Sequence, residues 1–154
     1  MAKLKIGQKA PEFSVKDHNG NLVKLSDFKG KNLILYFYPR DDTPGCTKEA
    51  CNFRDSFLVF KKKGIEIFGV SRDNEKSHKK FIEKYNLPFR LLADEKEELC
   101  RKYDVLIEKS LYGKKYIGIA RTTFLIDKEG KIKHIFDKVN PEYHDKEILD
   151  IFRV

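Results

Sequence analysis

The stretch that most constrains this chain is an apolar run, Asn32-Leu-Ile-Leu-Tyr-Phe37, that meets Pro39 and then Thr43-Pro44-Gly45-Cys46 within a few residues. A short run of large aliphatic and aromatic side chains, stopped by a proline, reads as a buried strand. Thr43 is expected to cap the helix that follows. Pro44 suits the first helical position, where a missing N–H would be unpaired anyway, and it pushes Thr43 out of the α region, as an N-cap requires. The spacing predicts a helix from Pro44 to about Lys63, just before Gly64. Cys46 then falls in the first turn of a helix, beside backbone N–H groups that have no helical partner.

That position suits a thiolate. A free cysteine titrates near 8.5, so only about 3% is ionised at neutral pH, and helix N-termini and cations lower such values to roughly 3.5–7.5. Complete ionisation is worth at most about 30-fold, far below the ~10⁶-fold or more of a typical enzyme. The remainder has to come from holding a substrate in line and stabilising the charge that leaves it. The N–H groups of Gly45 and Cys46 and the hydroxyl of Thr43 are the local donors for that task. Asp41 and Asp42 would oppose ionisation if they pointed inward, and both are expected to face water.

Cys51 follows Cys46 by five residues on the same predicted helix. An ideal helix puts two such Cα atoms about 8.6 Å apart, on faces about 140° different. A disulfide needs Cα atoms within roughly 7 Å. The two sulfurs therefore bond only if the start of the helix unwinds. The alternative for Cys51 is plain helix packing.

The segment Pro39-x-x-x-Thr43-x-x-Cys46 resembles the active-site motif of peroxiredoxins. The longer string YFYPRDDTPGCTKEACNFRD, and a later one, Tyr116-Ile-Gly-Ile-Ala-Arg121-Thr-Thr-Phe-Leu-Ile-Asp127, are similar to the bacterioferritin comigratory protein / peroxiredoxin Q branch of that family. The resemblance runs from about Gly7 to the C-terminus. It implies a thioredoxin-like fold and reduction of hydrogen peroxide and organic hydroperoxides to water and alcohols. It makes Cys46 the peroxidatic and Cys51 the resolving cysteine of an intramolecular Cys46–Cys51 disulfide, and it assigns catalytic and substrate-binding roles to Thr43 and Arg121, with Gly45 and Cys46 at the peroxide. Pro39 ends a strand in any case, and by resemblance its ring shields the thiolate. Arg121 by itself would read as a surface cation beginning a strand. A thioredoxin-type dithiol protein is the implied reductant, with no metal and no organic cofactor.

Taken in order, Phe13-Ser-Val15 and Leu22–Leu25 flank Asp17–Asn21 as an N-terminal β-hairpin. Ser26–Gly30 is a turn into the core strand. Ala50, Phe53, Phe57, Leu58 and Phe60 give the first helix an apolar face. Ile65–Val70 is a strand, Ser71–Lys76 introduces a helix through about Tyr85, Phe89–Leu92 is a short strand, and a helix lies near Lys96–Tyr103. Residues 105–120 read as a loop between strand fragments. Thr122–Asp127 and Lys131–Phe136 form a second hairpin, and Glu142–Arg153 a closing helix. Strands alternating with helices argue a three-layer α/β domain with a central sheet, one domain over residues 1–154, large enough to bury about 70% of its unfolded surface.

Forty per cent apolar and 36% charged residues belong to a globular chain, with no apolar run long enough for a membrane span and no leader-like start. An odd three cysteines do not look like a secreted disulfide framework, so a cytoplasmic protein is expected. The net charge of +8 is spread among 32 basic and 24 acidic residues, which reads as a solvated surface and not as a specific nucleic-acid site. A monomer is expected, with a weak homodimer as the alternative. Cys100, beside Leu99, reads as packing, with intermolecular bonding or reserve resolution as alternatives. His18, His78, His134 and His144 are scattered, read as lying in polar surroundings, and show no metal-ligand spacing with a cysteine. Two rival functions remain: a thioredoxin-type disulfide oxidoreductase, which would favour C-x-x-C over the C-x₄-C found, and a redox-sensing binding protein with a disulfide switch.

Overall fold

The computed structural model of the chain describes residues 4–152. Ser14–Lys16 (β1) and Leu22–Lys24 (β2) pair antiparallel, and the Asp17 carboxylate closes their turn by accepting the N–H groups of Asn19 and Asn21. A 3-10 turn at Leu25–Phe28 leads into Asn32–Phe37 (β3), the apolar run of the sequence. Then follow Pro44–Asp55 (α1), Phe57–Lys62 (α2), Ile65–Ser71 (β4), Glu75–Tyr85 (α3), Arg90–Ala93 (β5) and Glu98–Lys102 (α4). Leu106–Leu111 (β6), Lys114–Ile119 (β7), Thr122–Ile126 (β8), Ile132–Phe136 (β9) and His144–Ile151 (α5) complete the order.

Five strands form one mixed sheet in the order β5-β4-β3-β8-β9. β3 pairs parallel with β4, as a helical crossover requires, and antiparallel with β8. Being central, β3 is buried on both faces, which is why its sequence is a continuous apolar run and not an alternating one. Leu33, Leu35 and Phe37 point into one core cluster with the N-terminal hairpin, α4 and Ile119. Ile34 and Tyr36 point into the other with α1, α2, α3 and α5. Two layers thus cover the sheet, and Cys46 lies in the second cluster while Cys100 lies in the first.

Three sequence expectations need correction. The helix predicted over residues 44–63 is interrupted at Ser56, whose hydroxyl donates to Asp145 Oδ2 at 2.5 Å and ties the break to α5. Beyond that break the apolar face turns, so Phe60 is buried but Leu58 is exposed. Residues 105–120 are not a loop between fragments but a regular hairpin of β6 and β7, turned by Tyr112 and Gly113, both at positive φ (51° and 79°). Much of that hairpin stands off the core, so its sequence carries no buried-face alternation to read. The closing helix begins at His144 and not Glu142, and its predicted end at Arg153 lies outside the described residues.

One close approach inside the sheet fixes a residue. Gly69 on β4 lies opposite Tyr36 on β3, and a Cβ there would stand 2.7 Å from Leu91 Cδ2 and 2.8 Å from Tyr36 Oη. Gly69→Ala is expected to destabilise the protein by about 1–3 kcal/mol through overpacking, read as a lower denaturant midpoint at unchanged slope.

Candidate active site

The loop between β3 and α1 is held from the side of α3. Tyr38 N–H still donates to Val70 C=O at 3.0 Å, after which Pro39, half-buried, bends the chain. Asp41 does not face water, as its sequence context suggested, but is buried and turned toward α3. Its carboxylate accepts the Tyr38 hydroxyl (2.5 Å) and the Ser77 hydroxyl (2.8 Å) and lies 2.7 Å from His78 Nδ1. Its own N–H donates to Asp73 Oδ2 at 2.9 Å. Asp42 does stay at the surface, paired with Lys84 Nζ (2.8 Å) and the Tyr85 hydroxyl (2.7 Å). Both carboxylates are thus occupied on the α3 side.

Thr43 occupies the cap position, with extended backbone (φ −97°, ψ 156°) and Pro44 next, but its side chain makes no cap hydrogen bond. Instead its hydroxyl donates to Arg40 C=O at 3.0 Å. The expected roles of the hydroxyl are therefore reversed: its hydrogen is used and its oxygen lone pairs are left. The first helical bond runs from Thr47 N–H to Thr43 C=O at 2.8 Å, leaving the Gly45 and Cys46 N–H groups in the open first turn.

Cys46 itself is only 2% exposed. Arg121, the residue just before β8, reaches it across the sheet: Nη2 donates to Cys46 Sγ at 3.3 Å and Nη1 to Glu49 Oε1 at 2.8 Å. Cys46 and Glu49 are three residues apart on α1 and so share a face, which lets one planar guanidinium bridge both. Gly45 makes room for it, since a Cβ there would stand 3.2 Å from Arg121 Nη2. Burial works against the charge of Arg121, but Glu49 and Cys46 outweigh it and raise its pKa further. Glu49 is the costly member: burial pushes its pKa up to about 7 against the pull of Arg121. Its Oε2 has no partner among the described residues, nor has the buried Tyr36 hydroxyl.

Cys51, half-buried, sits further along α1, whose intact helical form spans both cysteines, and all three thiols are free. Cys100 is fully buried among apolar neighbours with its pKa pushed well up by burial, then by Asp94, as a packing residue would be. His78 and His144 do have polar partners, as expected, but are buried: His78 Nε2 lies 2.9 Å from Leu92 C=O, and His144 Nε2 lies 2.8 Å from Thr123 Oγ1. Asp41, Asp73 and His78 bring ligand-type atoms within 4.8 Å of one another, though each is already engaged in hydrogen bonds. Glu49 and Asp41 are the residues that sequence reasoning missed. The i, i+3 spacing from Cys46 was a usable signal for Glu49; nothing local pointed Asp41 at His78.

Comparison with known proteins shows the family and the fold. The AhpC/TSA family matches residues 6–135. The chain is 50% identical to peroxiredoxin Bcp of Bacillus subtilis over 150 residues, 97% of this chain and 96% of that one. Its structure resembles peroxiredoxin Q of Xanthomonas campestris (TM-score 0.87, 40% identity, 92% and 89% of the two chains covered). It also resembles a serine-for-cysteine mutant of PrxQ from Xylella fastidiosa (TM-score 0.91, 33% identity, 97% and 96% covered). The fold is thioredoxin-like, as the sequence resemblance implied.

The Glu49 carboxyl makes stability depend on pH in a stated direction. Its folded pKa of about 7 lies above the ordinary 4.5, so the folded state holds this proton more tightly than the unfolded chain. The stability it contributes is complete below pH ~4.5 and is lost as pH rises through ~7. The difference in unfolding free energy between wild type and Glu49→Gln is expected to fall by about 2–3 kcal/mol from pH 4.5 to 7.5. Denaturant titrations across that range check it.

Proposed function

The chain belongs to the AhpC/TSA family and is a thiol peroxidase of the peroxiredoxin Bcp and peroxiredoxin Q type, and from there we propose that Cys46 attacks the peroxide and Cys51 resolves the product. The observation that carries this reading is the 3.3 Å contact from Arg121 Nη2 to Cys46 Sγ in the first turn of α1. A guanidinium donating to sulfur stabilises negative charge there, and the burial of Cys46 keeps competing water away.

In the first step the Cys46 thiolate attacks the terminal oxygen of R–O–O–H, the O–O bond breaks, and Cys46 becomes a sulfenic acid while RO⁻ takes up a proton and leaves as ROH. Arg121 and the Gly45 and Cys46 N–H groups hold the peroxide oxygens in line and stabilise the charge that develops on the leaving one. Thr43, its own hydrogen committed to Arg40, uses an oxygen lone pair to accept the O–H of the hydroperoxide. Pro39 shields the sulfur. Glu49 acts through Arg121, fixing its orientation.

In the second step the Cys51 sulfur attacks the sulfenic acid, an S–S bond forms, and water leaves. The start of α1 has to unwind for this, and the helix is fastened from Asn52 onward. Asn52 Nδ2 donates to both Pro141 C=O (2.9 Å) and Glu142 C=O (2.7 Å), and Ser56 holds Asp145. The unwinding is thus confined to Pro44–Cys51. A thioredoxin-type dithiol then returns both thiols by exchange, becoming a disulfide itself. Three cysteines, an odd number, suit a reducing compartment such as the cytoplasm better than a secreted disulfide framework.

Cys46→Ser is expected to abolish peroxide turnover. Cys51→Ser should allow one fast oxidation but no thioredoxin-linked regeneration, and normal turnover by either variant would contradict the assignment. Arg121→Gln is expected to lower the second-order rate constant of Cys46 oxidation about 10²–10³-fold, measured by stopped flow.

A further inference from the structure

Lys109 is a cation that the chemistry above does not use. It lies on β6 opposite Tyr116 of β7, between two exposed neighbours, Glu108 and Ser110, yet is itself half-buried. Glu108 is taken by Lys115 at 3.5 Å, and Lys109 has no ion-pair or hydrogen-bond partner among the described residues. A lysine lays its stem along the surface and keeps its ammonium in water, so the direction of the stem decides where the charge is presented.

Its stem shows where the charge is aimed. A Cβ on Gly118 would stand 2.9 Å from Lys109 Cδ and 3.2 Å from Cε, so the side chain lies flat across β7 where glycine leaves room. From its pairing position at Tyr116 it leans toward Gly118, in the direction of Ile119, Ala120 and Arg121. Gly118 is three residues from Arg121, roughly 10 Å of extended chain, and the guanidinium of Arg121 is the group on Cys46. Burial lowers the pKa of Lys109, Arg121 lowers it further, and Cys46 raises it.

The two arginines whose charges act on Lys109 are committed. Arg121 serves Glu49 and Cys46, and Arg72 is paired with Glu97 at 2.9 Å. Because Cys46 is buried, only the terminal atoms of a hydroperoxide reach the sulfur, and the rest of the molecule has to lie outside it. We propose that Lys109 is a specificity-determining residue that selects hydroperoxides carrying an anionic group, a carboxylate above all, on the chain behind the peroxide. This deepens the reading of Cys46 as the attacking group and rests on it.

The test compares a tertiary alkyl hydroperoxide that bears a carboxylate with its uncharged methyl ester, and both with hydrogen peroxide. Second-order rate constants for Cys46 oxidation are measured in wild type, Lys109→Gln and Lys109→Arg. Wild type is expected to favour the acid over the ester, and that ratio to fall about fivefold to tenfold in Lys109→Gln, the effect of one charge pair at a partly screened site. Lys109→Arg should retain it, and added salt should erode the wild-type ratio but not that of Lys109→Gln. An unchanged ratio in Lys109→Gln overturns the proposal. So does a common slowing of all three peroxides, which would place the effect of Lys109 on the sulfur and not on the substrate. Wild-type Cys46 that fails to react even with hydrogen peroxide would overturn the reading of the site as a whole.

Discussion

A single guanidinium organises the site. Arg121 donates to Cys46 Sγ and to Glu49 Oε1 at once, and the groups around it are arranged so that it can. The antiparallel pairing of β8 with β3 brings residue 121 beside the helix start, although 75 residues of chain separate it from Cys46. Gly45 leaves the space that Nη2 occupies, and Glu49 supplies the counter-charge that makes burial of the guanidinium tolerable. The buried Glu49 has a cost, an unpartnered Oε2 and a pKa of about 7, and retains its place because removing it would leave Arg121 uncompensated. Stability is given up there for the orientation of a cation.

The second constraint is that α1 has two demands on it. In the proposed cycle it is helical when it presents Cys46 in its first turn, and it loses that turn for Cys46 to meet Cys51. The hydrogen bonds are distributed accordingly. From Asn52 to Ser56 the helix is bound to Pro141, Glu142, Tyr85 and Asp145 by side-chain contacts of 2.5–2.9 Å. Before Asn52 the named contacts are those of Arg121 with Cys46 and Glu49. On the proposed chemistry, oxidation of Cys46 to a sulfenic acid alters the atom that Arg121 holds, and so changes a contact that fastens the segment that has to move.

Local sequence carried much of this account. The strand, proline and Thr-Pro helix start around Cys46 are written in consecutive residues, and the two hairpins at Asp17–Asn21 and Lys128–Gly130 in their turn chemistry. What escaped was decided at a distance. Asp41 looks like a surface loop residue until His78, 37 positions later, is folded against it. The Thr43 hydroxyl takes Arg40 C=O and makes no cap bond to a helix N–H, a choice that the Thr-Pro signal does not encode. The β6–β7 hairpin was invisible for the opposite reason: largely exposed, it needs no hydrophobic alternation, and only Tyr112-Gly113 marked its turn. Arg121 could be picked out by resemblance alone, since nothing in its own neighbourhood distinguishes a buried guanidinium from a surface one.

The most direct measurement is the mass of the protein, thiols blocked, within seconds of adding one equivalent of hydrogen peroxide, followed by peptide mapping. The account predicts loss of two hydrogens and a peptide cross-linked through Cys46 and Cys51, with Cys100 still a thiol. A stable sulfenic acid on Cys46, or a link through Cys100, would contradict the resolving role of Cys51, and a Cys46 that stays reduced would contradict the central claim.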